Sequence, residues 1–171
     1  QAIAKAADEI IEGKLHDQFI GQAIQGGAGT GINMNANEVI ANRALEILGH
    51  RPGDYQIIHP LDHVNKGQST NDVVPTAIRI AAIRMFDGYV KAAQTLVDAL
   101  EEKASEYAAV PKLGRTHLQD AVPITIGQEL EAWACAISRD VQRGQRAIDL
   151  LSVVNLGGTA IGTSLNADPV Y

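Results

Sequence analysis

Cysteine occurs once in the 171 residues, at Cys135. A single thiol excludes an internal disulfide and a cysteine-rich metal site, and it suits a reducing compartment. Aromatic residues make up only 4% of the chain, while Ala, Ile, Leu and Val are plentiful. That mixture favours helices packed on helices over a β-sandwich. No apolar run approaches the roughly 18 residues of a membrane span, and no secretory signal is visible. Basic residues are outnumbered, 14 Lys and Arg against 20 Asp and Glu, for a formal charge of −6. An acidic chain suits neither nucleic acid nor an anionic membrane, so neither is an expected partner. There is no internal repeat and no low-complexity tract. An initiator Met is also missing, because the chain starts at Gln1, and it stops in the turn-like "NADPVY". These ends read as those of a piece of a longer protein.

Hydrophobic residues reach 46%, enough for a sizeable core in a chain of this length. Residues 1–12 read as the end of an amphipathic helix with Ile3, Ala7, Ile10 and Ile11 on one side and Gly13 as its stop. "IQGGAGTG" (24–31) reads as a glycine-rich loop. A helix is expected over 35–48, capped by Asn33 or Asn35 and ended by Gly49. Residues 50–68, with two prolines and little periodicity, read as loop. From Asp72 the pattern lengthens: Ile78, Ala82, Met85, Tyr89, Ala93, Leu96, Leu100 and Ala104 recur every three or four residues. Pro75 is expected in the first turn of this helix, where its missing N–H costs nothing. A second long pattern runs from Ile126 through Trp133 and Val141 to Leu151. The spacing predicts two antiparallel helices over 76–107 and 124–154, joined by a polar loop at 112–123, with no confident strand anywhere. Helices of about 35 residues would span roughly 50 Å, more than a compact domain of this size needs. They point to an elongated bundle completed by other subunits.

Four stretches carry candidate chemistry. In "QSTND" (68–72), one residue suffices to cap a helix. The remaining hydroxyls and amides, set beside the free N–H groups of a first turn, are suited to holding a carboxylate or phosphate. Capping and anion binding both stay open from the local sequence. "GGAGTG" (26–31) lacks the Lys-Ser/Thr ending of a phosphate loop and has no strand before it. It is either a flexible turn or a loop that lets a small ligand approach the backbone, with Thr30 donating. "GRTHLQDAVP" (114–123) sets His117 among Arg115, Thr116, Gln119 and Asp120, which favours an imidazole oriented by hydrogen bonds. In "HPLDH" (59–63), Pro60 argues against a helix that would put His59 and His63 on one face, so no metal site is expected. Cys135, mid-helix among apolar residues, reads as core rather than nucleophile.

Taken in order, "GGAGTGINMNANEV", "HVNKGQSTNDVVPT", "GRTHLQDAVPITIGQE" and "GGTAIGTSLN" resemble the blocks of the aspartase/class II fumarase superfamily, from about residue 20 to the end. Ala28 and Thr70, where the fumarases carry serine, and "DAVP" in place of "DATP", lean towards the aspartase side. The resemblance implies an all-α fold with a small N-terminal domain, a central bundle of long helices and a homotetramer whose active sites draw on three chains. Residues 1–67 would belong to the N-terminal domain and 68–171 to the first long helices of the bundle. It also implies a cytoplasmic lyase without cofactor or metal that eliminates ammonia from L-aspartate to give fumarate through an aci-carboxylate.

By the same resemblance Ser69, Thr70 and Asn71 are carboxylate ligands, and Thr30 is a further substrate contact. Thr116 and His117 match the family's catalytic Thr-His pair, in which the histidine binds a carboxylate or takes part in a proton relay. Some aspartases carry Gln at that place, which argues against an obligatory base. "HPLDH" resembles a secondary anion site in which Leu61 replaces the usual Asn. The family's serine loop, G-S-S-x-M-P-x-K-x-N, supplies the base and has no counterpart in residues 1–171. The segment alone is therefore expected to be inactive. Two other readings stay open: a class II fumarate hydratase, and a non-catalytic helical assembly fragment.

Overall fold

The structure, a computed structural model, describes residues 1–168. It divides into two compact units, residues 1–78 with 154–168, and residues 79–153. The first unit opens with α1 (Ala2–Ile11), and Gly13 follows it with a backbone φ of +95°, the left-handed geometry that ends a helix. Helix α1 packs against α2 (Thr30–Ile47). Their contact is built from small side chains: Ala6, Ala41 and Ala44 are fully buried beside Leu45, with Ile58 and the partly buried Ile3, Ile40 and Tyr55 around them. At the margin of this core the Arg43 guanidinium grips both oxygens of Glu9, through Nε at 2.5 Å and Nη2 at 3.2 Å. The hydrogen bond from Arg43 holds the Glu9 carboxyl below its ordinary pKa.

Helix α2 starts earlier than its sequence predicts. It begins at Thr30 from Gly29, whose φ is +85°, so neither Asn33 nor Asn35 is the cap. Asn35 lies inside the helix and ties down the preceding loop, donating to the Gln18 carbonyl and accepting from Gly21 N–H. Asn33 is buried. The segment 50–68 also holds more than loop: a single wide turn, Pro60–Asn65, bonds Val64 N–H to the His59 carbonyl and Lys66 N–H to the Leu61 carbonyl. Pro60 takes the first position of that turn, where no N–H is needed. His59 caps it through Nδ1, and His63 Nδ1 accepts from the His59 N–H.

Helix α3 is one element of 37 residues, Thr70–Glu106. Its early start moves Pro75 from the expected first turn into the second. There the missing N–H does cost something, because it strips the Asn71 carbonyl of its helical partner. The Asn155 side chain replaces that donor, with Nδ2 at 2.6 Å from the Asn71 oxygen.

In the second unit, α4 (Ile126–Leu151) returns antiparallel to α3. Gly127 lies where a Cβ would meet the Ala104 carbonyl at 2.5 Å, Gly144 faces the Phe86 ring, and Arg79 donates to the Val153 carbonyl. Both long helices thus form where the apolar periodicity places them. A capping box starts α4: Thr125 Oγ1 accepts from Gln128 N–H while Gln128 Oε1 accepts from Thr125 N–H.

The polar loop expected at 112–123 is instead a β-hairpin. Strands β1 (Pro111–Thr116) and β2 (Gln119–Thr125) pair antiparallel, Arg115 with Asp120 and Leu113 with Pro123. Between those pairs Ala121 and Val122 stand opposite Gly114 alone, a bulge that brings the Val122 carbonyl to 3.0 Å from where a Gly114 Cβ would lie. A two-stranded ribbon has only edges, so Pro111 and Pro123 are tolerated there, and no buried face demands alternating apolar residues. Among the described residues the other regular elements are all helical. Cys135, expected in the core, is exposed.

Candidate functional site

The polar row at 68–72 divides its work. Ser69 precedes α3, and its Oγ accepts from Asn71 N–H at 3.1 Å, as a capping side chain does. Asp72, 1% exposed, reaches back to accept from Ser69 N–H at 2.9 Å and also takes Thr159 N–H at 3.0 Å. The carboxylate so joins the start of α3 to the glycine-rich segment 155–166. Thr159 closes that segment with a bond from its hydroxyl to the Leu165 carbonyl. Gln68 exchanges hydrogen bonds with Asn65.

The first turns of α2 and α3 meet. Gly29 is placed so that a Cβ would lie 3.1 Å from Val74 Cγ1, and Asn33 Nδ2 donates to Thr70 Oγ1 at 3.2 Å. Thr30 is the first residue of α2 and Thr70 the first of α3, so two helix starts, each with a partial positive charge, lie within about one turn of each other. The hydroxyls of Ser69 and Thr70 each accept one bond from within the protein. Neither hydrogen has an acceptor among the described residues, so both hydroxyls are donors in waiting. Neutral donors gathered near two helix starts can hold a carboxylate without a charged pocket.

Thr30, Ser69, Thr70 and Asn71 are therefore brought together in the first unit. Thr116 and His117 belong to the second, at the hairpin tip. His117 and Leu118 form its two-residue turn with φ of +49° and +61°, the geometry whose twist suits a tight hairpin and which Asn-Gly usually supplies. Two residues with a Cβ in that region mark a strained tip, as functional turns often are. The ring of His117 makes no hydrogen bond among the described residues, against the expectation of an imidazole oriented by its neighbours. The turn leaves it exposed, while Arg115 and Asp120 pair with each other at 3.7 Å.

Sequence reasoning missed Asn33, Asn65, Asp72, Asn155 and Thr159 as partners of these residues. The one local signal was Asp72 at the third position after Ser69, the place from which an acidic side chain reaches back to a cap. Among the described residues no cluster of three or more His, Cys, Asp or Glu is suited to a metal, and no helix is long and apolar enough to cross a membrane.

The family model described as Lyase matches residues 1–171. Aspartate ammonia-lyase of Bacillus subtilis (strain 168) is 56% identical over 171 residues, which is 100% of this chain and 36% of that protein. The crystal structure of fumarate lyase:delta crystallin from Brucella melitensis bound to cobalt superposes with a TM-score of 0.89 at 56% identity, covering 99% of this chain and 37% of its own. That of recombinant class II fumarase from Schistosoma mansoni gives a TM-score of 0.85 at 38% identity, over 98% and 35%. The chain thus spans about 36% of the length of the curated relatives it matches. With a family model that covers it from end to end, and with these helices and first turns, the chain belongs to the lyase family, in the aspartase/class II fumarase superfamily, and is similar to its aspartate ammonia-lyases.

Proposed function

We propose that these residues form the carboxylate-binding part of an enzyme that eliminates ammonia from L-aspartate to give fumarate. A base takes the proton from Cβ, and the electron pair moves into the adjacent carboxylate, which becomes the aci form with an added negative charge. That charge then collapses to the C=C bond as the C–N bond breaks and ammonia leaves. Donors fixed where the charge grows are worth more in the transition state than in the ground state. Ser69, Thr70 and Asn71, with Thr30, are the proposed donors. The observation that carries this reading is the pair of hydroxyls, Ser69 and Thr70, which accept inside the protein and keep their hydrogens for a ligand near the starts of α2 and α3.

Thr116 and His117 would serve as carboxylate ligands supplied from the hairpin tip, in an active site shared between chains of a homotetramer. The family's serine loop has no counterpart in residues 1–171, so the base is proposed to come from outside them, and the segment alone is proposed to be inactive. The division into an N-terminal domain at 1–67 and bundle helices at 68–171, and a cytoplasmic location, belong to the same reading. The test is the whole enzyme offered L-aspartate. Release of fumarate and ammonia in equal amounts is expected. Turnover of malate in place of aspartate would make it a fumarate hydratase, and turnover of neither would leave a helical assembly protein.

A further inference from the structure

Four side chains between α2, the Pro60–Asn65 turn and α3 form a chain of hydrogen bonds whose direction is fixed at one end. The Gln68 backbone carbonyl can only accept. It lies 2.7 Å from Asn65 Nδ2, so the donor end of the Asn65 amide must face it. The Asn65 oxygen therefore faces the other way, and there it receives Asn33 Nδ2 at 3.2 Å and Asn37 Nδ2 at 3.1 Å. That in turn sets the Asn33 amide with its nitrogen towards Thr70, whose Oγ1 it reaches with its second hydrogen at 3.2 Å. Asn33, Asn37 and Asn65 are all at least nine-tenths buried, where an amide turned the wrong way would oppose two donors or two acceptors at a cost. One carbonyl thus dictates the polarity of the whole chain, and the Thr70 oxygen stands at its far end as an acceptor.

We infer that Asn33 is a positioning residue, which makes the Thr70 hydroxyl an obligatory donor to the bound carboxylate. This rests on the reading of Thr70 as a carboxylate ligand. A free threonine hydroxyl donates or accepts as its surroundings allow, and it can turn its hydrogen away from a ligand towards a protein acceptor. With Asn33 Nδ2 occupying one lone pair, the hydrogen is directed away from Asn33 before substrate arrives. Preorganisation of that kind lowers the barrier because no donor has to reorient as charge develops. Asn37 would remain on the Asn65 oxygen if Asn33 were removed, so truncation at 33 leaves no buried acceptor of that amide unpaired.

The experiment is a double-mutant cycle in the whole enzyme with Asn33→Ala and Thr70→Val, read as kcat/KM for aspartate beside the melting temperature. The expected result is a fall of about tenfold or more for Asn33→Ala with a near-native melt. No further fall is expected when Asn33→Ala is added to Thr70→Val, since without the hydroxyl there is nothing left to orient. Asn33→Ser, a second small variant, is expected to behave alike. A purely structural role would lower activity equally in both backgrounds, and such additivity overturns the inference. An unaffected kcat/KM in Asn33→Ala alongside a large loss in Thr70→Val overturns it too, while the carboxylate reading of Thr70 survives. An unaffected Thr70→Val removes that reading and this inference with it. Failure of both Asn33 variants to fold assigns the amide to the scaffold and also overturns the proposal.

Discussion

Thr70 is where the two explanations of a polar helix start part company. As a cap it would matter to stability alone, by about 0.5–2 kcal/mol on truncation. The cap is visibly Ser69, whose oxygen takes the Asn71 N–H, backed by Asp72 on the Ser69 N–H. Thr70 is thereby released from that duty. In the whole enzyme Thr70→Ala is expected to lower kcat/KM for aspartate by at least about thirtyfold, roughly 2 kcal/mol, with a near-native melting temperature. Unchanged turnover in a well-folded variant would return the stretch to the status of a helix start. The same residue scale explains why a row of five polar residues is present. Ser69 caps, Asp72 anchors the 155–166 segment, Gln68 holds Asn65, and Thr70 and Asn71 open the first turn of α3.

Among elements, α3 shows how a local defect is met from far along the chain. Pro75 withholds the N–H that the Asn71 carbonyl needs, and Asn155, 84 residues away, supplies one. The pair makes a coupled prediction. Asn155→Ala alone is expected to destabilise by about 1 kcal/mol, the net worth of such a bond. In a Pro75→Ala background the restored helical N–H takes over, and Asn155→Ala is expected to cost clearly less. Equal costs in urea denaturation of both backgrounds would show that the side chain acts elsewhere.

A second prediction belongs to the α1–α2 pair. Arg43 depresses the Glu9 pKa, so the folded form binds that proton less readily than the unfolded chain. The stabilisation is fully present above the ordinary carboxylate value and is lost as pH falls through the lower, folded one. The melting temperature of Glu9→Gln should lie below that of the native chain at pH 7, and the difference should close in acid. A difference that stays constant down to pH 3 would contradict this account.

On the scale of the whole molecule, the long helices do not cover their own apolar residues. Met85 on α3 is 75% exposed and Trp133 on α4 is 53% exposed, with Ile80, Tyr89 and Leu96 also open. Apolar surface of that extent on helices usually marks an interface. The chain is expected to associate into dimers or tetramers at micromolar concentration, as light scattering would register. A monodisperse monomer would count against the proposed shared assembly.

What the sequence by itself determined was the pair of long helices and the places where polar residues gather. The reason is local in both cases. An apolar repeat of three to four residues creates a helical stripe whatever lies opposite. Hydroxyl and amide side chains also mark helix starts through their nearest N–H groups. The hairpin at 111–125 was not legible, because its two strands present no buried face and its residues carry prolines, a glycine and a bulge. Asn33 was misread as a cap because a capping amide and a buried one are the same residue type. Its actual role follows from a backbone carbonyl 35 positions away in the chain, reached through Asn65. Only the tertiary structure brings the start of α2, the turn before α3 and the 155–166 segment to one place. That decides which groups donate and which accept, since the direction of a hydrogen bond is a property of the pair and not of either residue alone.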